Sequence, residues 1–478
     1  MPPSTQTAAP IVVIGAGLAG LSAAEALLES VPGPVCVIES TARAGGVLGT
    51  LRRDGWLVER SADCFLASRP EGLALVGRLG LTDRLLPVEP AARRALVYWD
   101  GAAVPVPRGF RLLAPGDVDA IRETPLLSPA GKARVLAEPA VPARDAADGD
   151  ESLESFAVRR LGREAFERLV QPLVAGIWTA DPARLSMAAA CPEFVRMERD
   201  HGSLTAGERA RIAAAASAVA DAAAGARYGQ FVTLDGGLAT LGTALKRRLV
   251  AGGVGWRQGT VTAVTAAGRE YAVAIGDGGR DRLFARGVVV ACPAPAASRI
   301  LAGFDAALAT ELAAIEYAGS AVVCLGFDRR SIGHALDAAG IVVPRIAGRR
   351  CLAISFASSK FPGRAPEDGA LLRVFLGGAL DPDVNALDDD ALIARALEEV
   401  RAIVTVSAPP RLVDVARWQG AMPQYHLGHT QRVARIAALA DRHRGFALAG
   451  AAYEGVGIPQ VIASGRSAGF AVAAMASR

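Results

Sequence analysis

Aromatic residues make up only 5% of this 478-residue sequence, with six cysteines and five histidines. Cys36, Cys64, Cys191, Cys292, Cys324 and Cys351 are scattered and form no CxxC pair. That argues against a disulfide framework or a zinc ribbon, and for reduced, mostly buried thiols in an intracellular protein. His201, His334, His426, His429 and His443 show no metal or triad spacing. His426 and His429 stand three apart without a companion carboxylate or Cys, so a surface or hydrogen-bonding role is expected and no metal. Ser22 begins no nucleophile elbow. Charge of one sign is also lacking: 52 basic against 48 acidic residues give +4, with no basic block. Nucleic-acid binding is therefore disfavoured. The one long apolar run, residues 11–28, is interrupted by Gly15, Gly17 and Gly20, and no Lys or Arg precedes it. It reads as neither a signal peptide nor a membrane span. The expectation is a cytoplasmic protein, soluble or peripherally bound.

What is present is a core. Hydrophobic residues are 51% and charged residues 21%, enough for two or three domains. Strands are predicted at 11–14, 35–39, 259–265, 271–275, 287–292, 321–327, 352–356, 371–376 and 446–449. Residues 105–142 read as loops and short helices, and 151–226 as helical, with an alanine-rich stretch at 212–226. Helices are predicted at 19–30, 240–249, 388–404 and 460–475, and a hairpin turn at 276–279.

Residues 11–14 run into Gly15-Ala16-Gly17-Leu18-Ala19-Gly20, which opens a helix. Gly15 permits the tight turn, Gly17 lets the backbone approach a pyrophosphate, and Gly20 lets helix and strand pack closely. The helix start offers free N–H groups to phosphates. Glu39 closes the second strand nineteen residues after Gly20, where an acid binds ribose hydroxyls. Arg43, Gly45 and Gly46 follow as a second cradle, an extension typical of FAD proteins of the glutathione-reductase-like group. At the far end a strand meets Gly450-Ala451-Ala452-Tyr453-Glu454-Gly455-Val456-Gly457-Ile458 and then a helix. A second helix start there suits the N1–C2=O edge of a flavin.

The chain resembles the oxygen-dependent protoporphyrinogen oxidase family of flavoproteins, in a fold group that includes monoamine oxidases and carotenoid desaturases. Four stretches carry the resemblance: 12–20 with 39–46; LVQPLVAGIWTADPARLS at 169–186; FVRMERDHGSL at 194–204; and LAGAAYEGVGIPQVIASG at 448–465. The resemblance implies an α/β fold, α+β overall. A discontinuous Rossmann-type FAD domain (8–90, 230–300, 412–478) would interleave with a mixed-sheet substrate domain (91–108, 301–411). A helical, membrane-associating domain (109–229) would complete it. It implies three two-electron oxidations of a porphyrinogen by non-covalent FAD, with O2 as acceptor and H2O2 as by-product. Peripheral membrane contact and a homodimer are family expectations.

Carried over by position, Gly15 to Gly20, Glu39 and Arg43 would bind the ADP part, and Val261 the adenine through its backbone. Gly45, Gly46, Val47, Ser61, Ala62, Asp63, Cys64, Gly450, Ala451, Val456, Gly457 and Ile458 would follow the flavin side. Gly176 and Asp63 would lie near substrate, with Val322, Val323 and Ile354 as candidate lining of an apolar slot. No catalytic side chain stands out, since flavin N5 would carry the hydride.

Two departures bear on substrate. Where the family has Gly-Pro and then Asn or Arg after the strand, this chain has Arg60-Ser61-Ala62-Asp63. An acid at 63 should repel a propionate unless Arg60 or another base compensates. The last motif ends Gly457-Ile458-Pro459-Gln460 in place of Asn-Asp-Cys. Coproporphyrinogen oxidation on the same fold and an amine oxidase or desaturase remain alternatives. An inactive flavin- or tetrapyrrole-binding protein is a third, with Asp63 its only support. Monoamine oxidases tether flavin through a cysteine near the C-terminus; here Cys351 is the last cysteine, so non-covalent FAD is expected.

Overall fold

Short strands that are apolar at every position cannot face water on either side, so they pair in parallel between helical layers. In a computed structural model of the chain, Ile11–Ile14 and Gly287–Val290 are strands of this kind, buried throughout. The model describes residues 9–145, 149–219, 231–276, 278 and 280–476. The two strands sit inside a five-stranded parallel sheet. Its order is Gly255–Gln258, Val35–Glu39, Ile11–Ile14, Gly287–Val290 and Phe446–Leu448. Three distant stretches of chain thus build one Rossmann layer. Helices Leu18–Ser30 and Ile458–Ala476, one near each end of the chain, pack together on it. There a side chain on Gly465 or Gly469 would strike the carbonyl of Ala19 or Ala23.

The second layer is a seven-stranded mixed sheet. Its order is Leu412–Pro423, Tyr317–Asp328, Gly369–Gly377, Ala353–Phe356, Gly340–Val342, Leu96–Trp99 and Ala102–Pro105. Every pairing is antiparallel except that of Gly340–Val342 with Leu96–Trp99. The fold class is therefore mixed α/β, as the sequence implied. One boundary moves. Residues 412–423, expected with the nucleotide domain, instead form a twelve-residue strand on the edge of this second sheet. Its polar members Asp414, Arg417 and Trp418 hid the strand from an apolar-run reading, because an edge strand needs only partial burial.

Helix Asp389–Val404 covers one face of that sheet. Val323, Ile341, Ile354 and Val374 form a cross-strand row beneath it and are at most 1% exposed. Val323 and Ile354 are therefore sheet core and do not line a slot. The neighbouring row on the opposite face, one residue out of phase, is Val342, Ala353, Phe375 and Val322. The first three of these are only half-buried. Strand alternation makes the two rows indistinguishable in sequence until a covering helix is placed.

The helical part, including Leu153–Leu161, Gln171–Trp178 and Pro192–His201, packs as its own core on the half-buried row's side, touching Val342. Helix Leu204–Val219 covers the first half of the alanine-rich stretch, and residues 220–226 lie outside the described residues, as do two of the four residues of the 276–279 turn. No described helix is long and apolar enough to cross a membrane.

Candidate functional site

Parallel strands deliver their loops to one edge, and a ligand crevice forms outside their C-terminal ends. Gly15 leaves the first strand with φ +101°, a conformation that favours glycine, and a Cβ there would press on the carbonyl of Ala291. Helix Leu18–Ser30 then starts at Gly17 with no side chain capping it and no acid in its first turn. Its first N–H groups are left for a ligand. The Glu39 carboxylate accepts from the Ala16 N–H at 2.7 Å and the Thr41 N–H at 2.8 Å, fastening the glycine loop to the second strand. Gly259 N–H donates to the Glu39 carbonyl at 2.8 Å, which seats Val261 beside that strand end.

The second cradle lies against the first. Gly45 N–H donates to the Ala16 carbonyl at 2.8 Å. A Cβ on Gly46 would come within 3.0 Å of the Gly17 Cα, and one on Gly242 within 2.7 Å of the Gly45 Cα. Arg43 does not project into the crevice. Its guanidinium donates to the carbonyls of Gly46 and Leu48, so it shapes the turn. Beyond the turn Val47 is 48% exposed, a large apolar side chain left open at a crevice mouth. Beyond strand Phe446–Leu448, Gly450 has φ +135°, nothing within 4 Å of a would-be Cβ, and an N–H bonded to Ser464 Oγ at 3.0 Å. These two glycine-lined loops, meeting an uncapped helix start, fit a dinucleotide.

The stretch 61–64 leads into strand Phe65–Leu66, which meets helix Ile458–Ala476, and here the structure supplies what sequence reasoning missed. Asp63 accepts from Lys360 Nζ at 2.8 Å and pairs with an Arg373 nitrogen at 2.9 Å. Burial alone would raise its pKa. The two cations overrule burial and hold the carboxyl far below the usual range. Lys360 responds in kind: burial opposes its charge, and Asp63 still holds the ammonium above its ordinary value. Two positive charges against one negative leave a surplus of one. Arg60, the compensating base considered from sequence, is turned away and bonds Asp414 at 2.9 Å. Arg373 also donates to the Ser61 carbonyl, while Ser61 Oγ and Arg373 Nε are buried without a partner. Burial pushes the Cys64 thiol up to about 12, and the Cys292 thiol likewise.

A signal for this cluster existed. Arg373 is the single charge in the apolar run Ala370–Leu376, and Lys360 is one of three lysines in the chain. Gly176 lies on Gln171–Trp178, exposed and facing open space, beside Ile177 at 45% exposure. The flanking Leu173 and the loop residue Val456 pack into the same cluster as Val342. The helix of Gly176, Val456 of the C-terminal glycine loop and Val342 of the half-buried row therefore share one cluster. His429 is not a ligand-like surface group. It is buried, stacked 3.9 Å from the Tyr425 ring, and burial pulls its pKa down to about 4.

The family model for flavin containing amine oxidoreductases matches residues 18–472. A coproporphyrinogen III oxidase from Bacillus subtilis (strain 168) is 32% identical over 96% of both chains. The protein of the same name from Propionibacterium freudenreichii is 34% identical over 95% of this chain and 89% of its own. A chloroplastic protoporphyrinogen oxidase from Nicotiana tabacum is 31% identical over 87% of this chain and 76% of its own. Among solved structures, that of cyclohexylamine oxidase from Brevibacterium oxydans shares the fold, with a TM-score of 0.69 at 17% identity over 98% of this chain and 100% of its own.

Proposed function

From the premise that this chain belongs to the flavin-containing amine oxidoreductase family, we propose that it is an FAD-dependent oxidase of a porphyrinogen. The pyrophosphate would rest on Gly15 to Gly20 and the uncapped amides of helix Leu18–Ser30, with Glu39 at the ribose and the Val261 backbone at the adenine. Val47, the 61–64 stretch, Gly450, Ala451 and Val456 to Ile458 would follow the ring. Thiols as hard to ionise as those of Cys64 and Cys292 are poor nucleophiles, which supports non-covalent binding. When bound, a flavin accepts a hydride and returns two electrons to O2.

The chain's own part is to bind and orient. The half-buried row Val342, Ala353 and Phe375 offers a flat apolar floor, with the helix of Gly176 above it. At its end, Lys360 and Arg373 outweigh Asp63 and provide a cation for a propionate. Asp63, ionised and twice paired, is a weak base and would not take up the substrate's protons.

The observation that carries the reading is end-to-end relationship to porphyrinogen oxidases combined with the neutralised acid at 63. Protoporphyrinogen IX and coproporphyrinogen III differ in carrying two or four propionates. The bacterial relatives, matched over nearly their whole length, favour the second; the Nicotiana tabacum relative supports the first. Porphyrin fluorescence and O2 uptake, measured with each porphyrinogen, rank the two by kcat/KM. Anaerobic mixing should bleach the flavin; failure to bleach with both substrates would sink the proposal.

A further inference from the structure

We propose that Tyr425 is a positioning residue for the flavin-side loop 451–455, and that its ring ties this loop to the helix carrying Gly176. The first half stands on geometry alone; the link to a flavin rests on the function proposed above.

The loop is flanked by Gly450 and Gly455, both at positive φ, +135° and +138°. Residues 451–453 turn on themselves, with no backbone–backbone hydrogen bond from 450–456 to another element among the described residues. Side chains hold it. The Tyr425 hydroxyl donates to the Ala451 carbonyl at 2.6 Å and accepts from the Gly455 N–H at 2.8 Å, so one oxygen closes both ends. Burial pushes this phenol well above its ordinary pKa, which leaves it protonated and able to do both. A His429 ring nitrogen meets the Tyr453 carbonyl at 3.3 Å.

The Tyr425 ring is 1% exposed, held between the stacked His429 and the Trp178 ring, 4.8 Å away and tilted. Trp178 is two residues from Gly176 on the same helix. The Tyr425 carbonyl accepts from the Ser186 N–H at 2.7 Å. One residue thus touches the nucleotide layer and the helical part together. His429 and Ser464 also bond this segment, but the Tyr425 hydroxyl alone spans from Ala451 to Gly455, so removing it frees a carbonyl and an N–H together.

The test is Tyr425→Phe in the full chain, which keeps ring volume and stacking. Hydrogen exchange of the Gly455 amide, which loses its acceptor, should speed up at least about tenfold, in apoprotein and holoprotein alike. FAD affinity, read by quenching of flavin fluorescence on apoprotein, should weaken about tenfold, with a shifted visible flavin band. Unchanged exchange and affinity would overturn the proposal. Should the variant fail to fold, the wild-type Gly455 amide decides: slow exchange supports the clasp, and rapid exchange overturns it. A wild-type apoprotein that takes up no FAD would overturn the flavin reading while the exchange data still judge the clasp.

Discussion

Asp63 is the residue on which substrate identity turned. In isolation a carboxylate where the resemblance expects a propionate partner would be a liability. With Lys360 and Arg373 around it, removing the acid becomes the liability, because two buried cations would then face each other. Asp63→Asn should cost about 3–5 kcal/mol, read as a lowered urea midpoint. The pH dependence has a definite sign. A carboxyl whose folded pKa is depressed gives its full stabilisation above its unfolded value of about 4 and loses it as pH falls toward the folded value. His429 acts in the same direction over a higher window. Its imidazole titrates near 4 when folded and about 6.5 when unfolded, so the unfolded chain takes up the proton first. Stability should fall from pH 6.5 to 4 by up to about 3 kcal/mol through this group. Urea midpoints of wild type and His429→Gln across that range test it; equal slopes would refute it.

At the level of elements, the two ends of the chain meet helix on helix. Gly465 sits where any Cβ would run into the Ala19 carbonyl, inside the Gly15–Gly20 motif. Gly465→Ala should force Leu18–Ser30 and Ile458–Ala476 apart, at a cost of about 1–3 kcal/mol. The same shift moves the Gly15–Gly20 loop, so FAD affinity should weaken together with a lowered Tm. Fluorescence quenching and calorimetry on the variant check both, and loss of stability with unchanged FAD affinity would separate the helix contact from the cradle. The missed edge strand Leu412–Pro423 has a related lesson. Its polar side chains hold residues across the sheet junction: Asp414 receives Arg60, and Trp418 donates to the Arg60 carbonyl at 2.6 Å.

For the molecule as a whole, the crevice lies where three separated chain segments join. A ligand bridging them binds the folded state alone and stabilises it by mass action. FAD at a hundredfold excess over its Kd should add about 2.7 kcal/mol of stability, seen as a Tm raised by a few degrees. FMN, which lacks the adenosine half, should raise it much less, because Glu39 and Val261 would have nothing to hold. Equal shifts for the two flavins would contradict the placement of the adenosine.

Some of this was legible without coordinates, for a physical reason. Gly15, Gly17, Gly20 and Glu39 fall within one βαβ unit, where spacing along the chain dictates spacing in space. The same holds for the apolar strands and for the helix that closes the chain. Asp63 and Lys360 are 297 positions apart, and no local pattern encodes their meeting. Which face of the mixed sheet was open depended on where helix Asp389–Val404 docked. That docking sent Val323 and Ile354 into the core and left Val342, Ala353 and Phe375 half-buried. The sequence by itself determined a glycine-rich loop within a βαβ unit in an α/β frame. Only tertiary packing decided the partners of Asp63, which sheet row stayed half-buried and the bonds of Tyr425, because each depends on contacts between separate elements of the chain.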